Sequence, residues 1–337
     1  RENGRGMRPA ALASLSPPPA AIVTDGDPGG FPPHMPVLRV ADTGNAILEL
    51  GRAARQRLSV PVLAVTGSAG KTTAVAMLAH ALEPFGTVGR SAHNANLPHG
   101  VAWNLASLAP DARHVVLELA VGRMAQSARL ARPDVAIFTN IAPAHLTGGS
   151  SVADIARTKS AIFLGMAPGG TAILNREMDQ WAMVHAAAKA RQLRVIHYGR
   201  SEGCDVRLLS YDGDAVEAVV FGRPVRFTLG ASGEHMALNA LAALAAVAAL
   251  GHAIEPALAA LAGFRSLPGR GETLALIVDG KRVTLIDDAY NANPASMAAA
   301  LADLAQRPGT RRVAVLGEMA ELGEGEESFH HALATAV

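Results

Sequence analysis

From Val60 onward, short apolar runs alternate with longer stretches that suit helices. Val60 to Val65 is almost wholly apolar, the pattern of a strand buried on both faces. His114 to Leu119, Asp134 to Thr139 and Thr171 to Leu174 also read as strands. Helices are expected from the glycine turn after Val65 to Leu82, stopped by Pro84, and from Val152 to about Leu164. Such alternation predicts a parallel sheet with helices on both faces. Residues 206–229 hold three short β-like runs broken by Asp212-Gly213 and Gly222-Arg223-Pro224, predicting a local antiparallel patch. Glu234 to Leu250 is a helix ended by Gly251. Thr273 to Val278 and Val283 to Ile286 flank Asp279-Gly280, a hairpin signal. A helix from Pro294, a strand at Val313 to Leu316 and the start of another helix follow.

Before Val60 the pattern is weaker. Residues 1–36 are rich in Pro and Gly and read as a linker with one short strand at Ala21 to Thr24. Val37 to Val40 suits a strand, and Asp42 or Thr43 caps a helix ending near Arg57.

The turn after Val65 changes the picture from fold to chemistry. Gly67-Ser68-Ala69-Gly70 leads into Lys71-Thr72-Thr73 at a helix start. There, backbone amides face an anion, Lys71 adds a point charge, and a Thr hydroxyl can hold Mg²⁺. The pattern is the shorter TGxxGKTT form, since Val65 stands where GxxxxGK[ST] needs its first glycine. The chain is expected to bind a nucleotide.

Ligands of open α/β sheets collect at the carboxyl ends of strands. Glu118 lies in such a place within an apolar run, where an unpaired carboxylate is costly. It reads as a Mg²⁺ ligand, the alternative being a salt bridge at a strand end. Asn140 and His145 follow the next strand, and His145 gains weight only from the company of Glu118 and the glycine loop. Lys159, taken alone, is expected on a solvated helix face. Asp287-Asp288 suits ribose hydroxyls, a cation or a capping turn, and Arg270 offers a loop cation.

Composition narrows the class. Lys+Arg total 30 against Asp+Glu 29, so no basic field argues for a nucleic-acid partner. The single cysteine, Cys204, excludes an internal disulfide and fits a reducing compartment. The most apolar stretch, Ala240 to Leu250, is too short to span a membrane, and no signal peptide leads the chain. A cytoplasmic protein without membrane or nucleic-acid partners is expected. Its first residue is Arg, which reads as part of a longer polypeptide.

Six stretches together resemble the Mur ligase family, which forms amide bonds using ATP. They are Thr66-Gly-Ser-Ala-Gly-Lys-Thr-Thr73, Thr139-Asn-Ile-Ala-Pro-Ala-His-Leu146, Ile155-Ala-Arg-Thr-Lys-Ser-Ala-Ile-Phe163, His235-Met-Ala-Leu-Asn-Ala-Leu241, Leu267-Pro-Gly-Arg270 and Asp287-Asp-Ala-Tyr-Asn-Ala-Asn-Pro294. With Val313-Ala-Val-Leu-Gly-Glu-Met-Ala-Glu-Leu-Gly323, the last looks most like the branch that adds D-alanyl-D-alanine to UDP-muramoyl tripeptide in peptidoglycan synthesis.

The resemblance implies that Lys71 holds the β- and γ-phosphates and Thr72 the first Mg²⁺. It implies that Glu118 and His145 serve the metal sites, and that Lys159 is carbamylated and supports a second Mg²⁺. Asn239 would meet the adenine, Arg270 the phosphates and Asp288 the ribose, with Asn140 close by. It also implies an α/β fold: a P-loop-type central domain over 59–275, a small N-terminal unit over 1–58 and a partial Rossmann-like C-terminal domain over 276–337.

The acceptor side departs from the family pattern. Asn94 and Asn96 match the asparagine-rich substrate loop, but Leu97 stands where a further Asn is expected. Glu118-Leu-Ala-Val-Gly-Arg-Met124 lacks the usual Gly-Ala-Asn-His run, and His235-Met236 replaces a His-Asn pair. An amino-acid ligase of a natural product or a polymer such as cyanophycin is therefore the first rival. A non-catalytic nucleotide-binding module and a simple P-loop hydrolase are the others.

Overall fold

The apolar runs become the inner strands of a nine-stranded sheet in a computed structural model that describes residues 15–27, 31, 34–143 and 151–335. β1 (Ile22–Thr24) and β2 (Val37–Arg39) pair in parallel as a small separate sheet. α1 (Thr43–Arg57) follows, capped by Asp42, whose carboxylate accepts the Asn45 amide at 2.6 Å. The main body then runs β3 (Val62–Thr66), α2 (Lys71–Leu82), β4 (Val88–Arg90), α3 (Pro98–Ala106), β5 (His114–Glu118), α4 (Met124–Ala131) and β6 (Val135–Phe138). It continues through α5 (Val152–Ser160), β7 (Thr171–Asn175), α6 (Trp181–Ala190), β8 (Arg194–Gly199), β9 (Val206–Asp212), β10 (Ala215–Val220) and β11 (Arg223–Thr228). Two helices, α7 (Glu234–Ala249) and α8 (Glu255–Leu261), complete it.

The strand order is β11-β10-β9-β8-β7-β6-β3-β5-β4, so β3 sits between β5 and β6 with parallel partners on both sides. That position explains its uniformly apolar sequence: all five residues are buried. Leu63 and Val65 point to the core formed with α2, α7 and α8, while Val62 and Ala64 join the core under α1 and α3–α6. The period of two thus divides one strand between two helical layers. No described helix is long and apolar enough to cross a membrane.

The expected antiparallel patch forms from β9, β10 and β11, and β9 joins it to the main sheet by pairing in parallel with β8 at Tyr198 and Val206. Two expectations change. The helix from Val152 ends at Ser160 and tightens into a 3₁₀ turn over Ala161–Gly165. Gly165 lies so close to α4 that a Cβ there would stand 2.0 Å from the Ala128 carbonyl oxygen. Finally, Val313 to Leu316 forms no strand. It lacks a hydrogen-bonding neighbour among the described residues, and Val315 is 94% exposed.

Beyond the main body, β12 (Glu272–Val278) and β13 (Lys281–Asp287) form the expected hairpin. Asp279 and Gly280 have φ of 50° and 71°, as a two-residue turn between twisted strands requires. α9 (Pro294–Gln306) and α10 (Glu326–Ala332) follow.

Arg55 ties α1 to the main body. Its guanidinium donates to the carbonyls of Ala131 at 2.7 Å, Arg132 at 2.8 Å and Leu58 at 3.3 Å. Arg55→Ala removes the donors from all three carbonyls and leaves a void, so it is expected to destabilise the fold by about 3 kcal/mol. A urea denaturation series checks this, and a loss below about 1 kcal/mol would show that α1 docks without the tie.

Candidate nucleotide and metal site

The chain must turn sharply between β3 and α2, and two glycines allow it. Gly67 has φ 155°, and a Cβ there would meet the Thr139 hydroxyl oxygen at 1.9 Å. Gly70, at φ 75°, is left-handed and caps α2. The end of β6 clamps the loop between them. Asn140 Oδ1 accepts the amides of Ser68 at 3.1 Å and Ala69 at 2.9 Å. Ser68 Oγ donates to the Ala142 carbonyl at 2.9 Å and accepts its amide at 3.1 Å. Thr139 Oγ1 donates to the Ala69 carbonyl at 2.6 Å.

Five predicted side chains converge beside this loop. Lys71 Nζ donates to the Gly67 carbonyl at 3.1 Å, and Lys159 Nζ donates to the same oxygen at 2.7 Å. Thr72 Oγ1 donates to Glu118 Oε2 at 2.7 Å. Glu118 Oε1 accepts from Asn96 Nδ2 at 2.8 Å, so Asn96 is engaged by the carboxylate.

Lys159 is only 1% exposed, which overturns the reading of a solvated face. It lies four residues after buried Ile155, on the inward stripe of α5. Burial holds its amine well below the usual lysine range; the Lys71 charge pushes it down further, against a pull from Glu118. Lys71 is lowered by burial and by Arg270, again opposed by Glu118.

These groups face a cavity of about 420 Å³ shared by the main body and the residues after Leu267. Asn239, on α7, reaches it beside Gly70, where a Cβ would be 3.7 Å from its Nδ2. In the same cavity, Arg270 lies over the Tyr290 ring at 3.9 Å. Burial raises the Asp288 carboxyl to about 6, although Arg270 pulls it down. Asn94 lines the same cavity from an exposed, left-handed position. His145 lies outside the described residues.

The donor set fits Mg²⁺. Among the described residues no group of three or more His, Cys, Asp and Glu could enclose a metal. A Thr hydroxyl and a carboxylate 2.7 Å apart are instead hard oxygens that Mg²⁺ supplements with phosphate and water.

Asn175, Tyr290 and Asn293 also line the cavity and were not singled out. Asn175 donates to the Thr139 carbonyl at 2.8 Å and stands at the carboxyl end of β7, the same signal that marked Glu118. Tyr290 and Asn293 sit inside the Asp287–Pro294 stretch, where the paired carboxylates draw attention first.

The Mur ligase middle domain matches residues 65–247, and the Mur ligase, glutamate ligase domain matches residues 269–337. The UDP-N-acetylmuramoyl-tripeptide–D-alanyl-D-alanine ligase of Escherichia coli (strain K12) is 34% identical over 303 residues, covering 88% of this chain and 66% of that protein. The enzyme of the same name from Synechocystis is 34% identical over 339 residues, covering 99% and 71%. MurF from Acinetobacter baumannii superposes with a TM-score of 0.82 at 31% identity, covering 93% of this chain and 68% of that one. MurF ligase from Thermotoga maritima, solved in complex with ADP, gives a TM-score of 0.80 at 26% identity, covering 94% and 73%. The chain thus spans about two thirds of the length of these relatives. The glycine loop, its two lysines and the carboxylate beside Thr72 all fall within the matched middle domain, and the chain belongs to the Mur ligase family.

Proposed function

We propose that the chain carries out ATP- and Mg²⁺-dependent ligation of a carboxylate to an amine, most like the addition of D-alanyl-D-alanine to UDP-muramoyl tripeptide. The observation that carries this reading is the meeting of Lys71 and Lys159 on the Gly67 carbonyl, with the Thr72–Glu118 pair in the same loop's reach. A module that only bound a nucleotide would not need a second buried lysine there.

Lys71 and the first-turn amides of α2 would hold the β- and γ-phosphates. Arg270 would reach the phosphates, Asn239 the adenine and Asp288 the ribose. Thr72 and Glu118 would hold Mg²⁺, which supplies neutralisation of the charge moving between phosphate and carboxylate. Lys159, whose amine burial pushes well below the usual lysine range, suits addition of carbon dioxide with loss of a proton to give a carbamate. His145 is carried into this reading by its sequence motif.

The γ-phosphoryl group passes to the acceptor carboxylate, releasing ADP and leaving an acyl phosphate. The amine then attacks the carbonyl carbon through a tetrahedral intermediate, loses a proton and expels phosphate. The protein's part is alignment and exclusion of water, with residues 59–275 as the ATP-binding body and 276–337 closing over it.

ADP release by the complete gene product tests this, with UDP-muramoyl tripeptide and D-alanyl-D-alanine added singly and together. Release only with both, together with the mass of the joined amide, is expected. Silence with that pair, but release with another carboxylate and a free amino acid, would move the assignment to an amino-acid ligase, the rival that Leu97 and the run after Glu118 favour. Equal release without any acceptor would indicate a hydrolase.

A further inference from the structure

Between α1 and α4 lies a second cavity, of about 450 Å³, whose charge comes from Arg52, Arg123 and Arg129. Two helical stripes face each other across it. Arg123, Gln126 and Arg129 recur every third residue at and along α4, and Leu48 and Arg52 are four apart on α1. Buried Leu48 and Leu130 supply apolar lining. Arg52 pairs with Glu49, but Arg123 and Arg129 have no carboxylate within salt-bridge distance among the described residues. Three guanidinium groups against one carboxylate give the groove a surplus of positive charge that suits oxyanions, which arginine binds through paired N–H donors.

Its location ties it to the ligation site. Residues 119–123 run from one cavity to the other: Ala120 lines the first and Arg123 the second. That stretch is fixed at Ala120, whose amide donates to the Asn96 carbonyl at 3.1 Å, and at Gly122, where a Cβ would stand 2.8 Å from Leu97. Arg123 is held with φ 55°, a conformation few residues other than glycine adopt. It is five residues from Glu118, so at most roughly 17 Å of chain separates them. This is also the stretch that departs from the family's run after the glutamate.

We infer that the Arg52–Arg123–Arg129 groove binds a second oxyanion of the acceptor while its reacting carboxylate lies between Lys71 and Glu118. The inference rests on the ligase reading. A further carboxylate of the peptide and a phosphate of the nucleotide share the chemistry the groove recognises.

The test uses the complete gene product and the Arg123→Gln/Arg129→Gln double variant, with Arg282→Gln on the exposed hairpin as a control. The KM for UDP-muramoyl tripeptide is expected to rise about tenfold or more in the double variant, with the KM for ATP within about twofold of wild type. Calorimetric titration with UDP, and separately with muramoyl tripeptide lacking the nucleotide, identifies the source: the probe whose affinity falls in the double variant carries the oxyanion. If the acceptor KM and both probe affinities stay within about twofold of wild type, the groove is not an acceptor site. If the wild type binds a probe through these arginines yet forms no amide, the ligase reading fails and the oxyanion site stands.

Discussion

Lys71→Ala is expected to lower kcat/KM for ATP by about 10³-fold or more while leaving the fold intact. Phosphoryl transfer asks little covalent chemistry of a protein, so the loss of one charge placed on the moving phosphoryl group has a large effect. The loop should survive the substitution because its shape does not depend on this lysine. Asn140, Thr139 and Ser68 hold it through five hydrogen bonds that Lys71 does not make. ADP release and a thermal melt, measured on the same preparation, check both halves of the expectation. Unchanged ADP release in the variant would remove Lys71 from the phosphate cradle.

The second large effect is expected at Lys159. Lys159→Ala should reduce turnover by about 10³-fold, and short carboxylic acids such as acetate should restore part of it. The restoration follows from size and charge: truncation to Ala opens a space within reach of the Gly67 carbonyl, and a carboxylate entering it replaces the oxygens of a carbamate. The direction of the amine's titration agrees with this chemistry. Burial and the Lys71 charge favour the neutral form, and only a neutral amine adds carbon dioxide. Full turnover by Lys159→Ala would exclude Lys159 from the site. Loss of turnover without rescue, in a folded variant, would leave it a structural donor to the loop.

The Arg55 tie and these two lysines show what the sequence discloses and what it hides. The strand–glycine–lysine register at Val62–Thr73 was legible because backbone geometry forces it: a strand buried on both faces is apolar, and the turn into α2 needs glycine at Gly67 and Gly70. Glu118 was legible for the opposite reason, as a carboxylate where burial is costly. Lys159 was legible only through its motif, Ile155 to Phe163, since by spacing an amphipathic helix with one inward lysine reads like any surface helix. Its spacing from Ile155 was visible, but only the fold shows that this stripe faces the phosphate loop. Asn96 was legible as a polar group near the site, and its bond to Glu118 required tertiary contacts. Val313 to Leu316 failed because strand propensity acts only with a partner to receive its hydrogen bonds.

The Asn140 clamp has a consequence for how a phosphate would be received. Because Ser68 and Ala69 already direct their amides to Asn140, those two donors are not left over for an incoming anion. Phosphate contacts would then fall mainly to Gly70 and the first turn of α2, whose amides point along the helix axis. Recognition and rigidity are thus separated along seven residues: the leading part is a buttress and the trailing part a receptor. A nucleotide entering such a seat orders little backbone on arrival, so its affinity reflects contacts made rather than a loop folded around it.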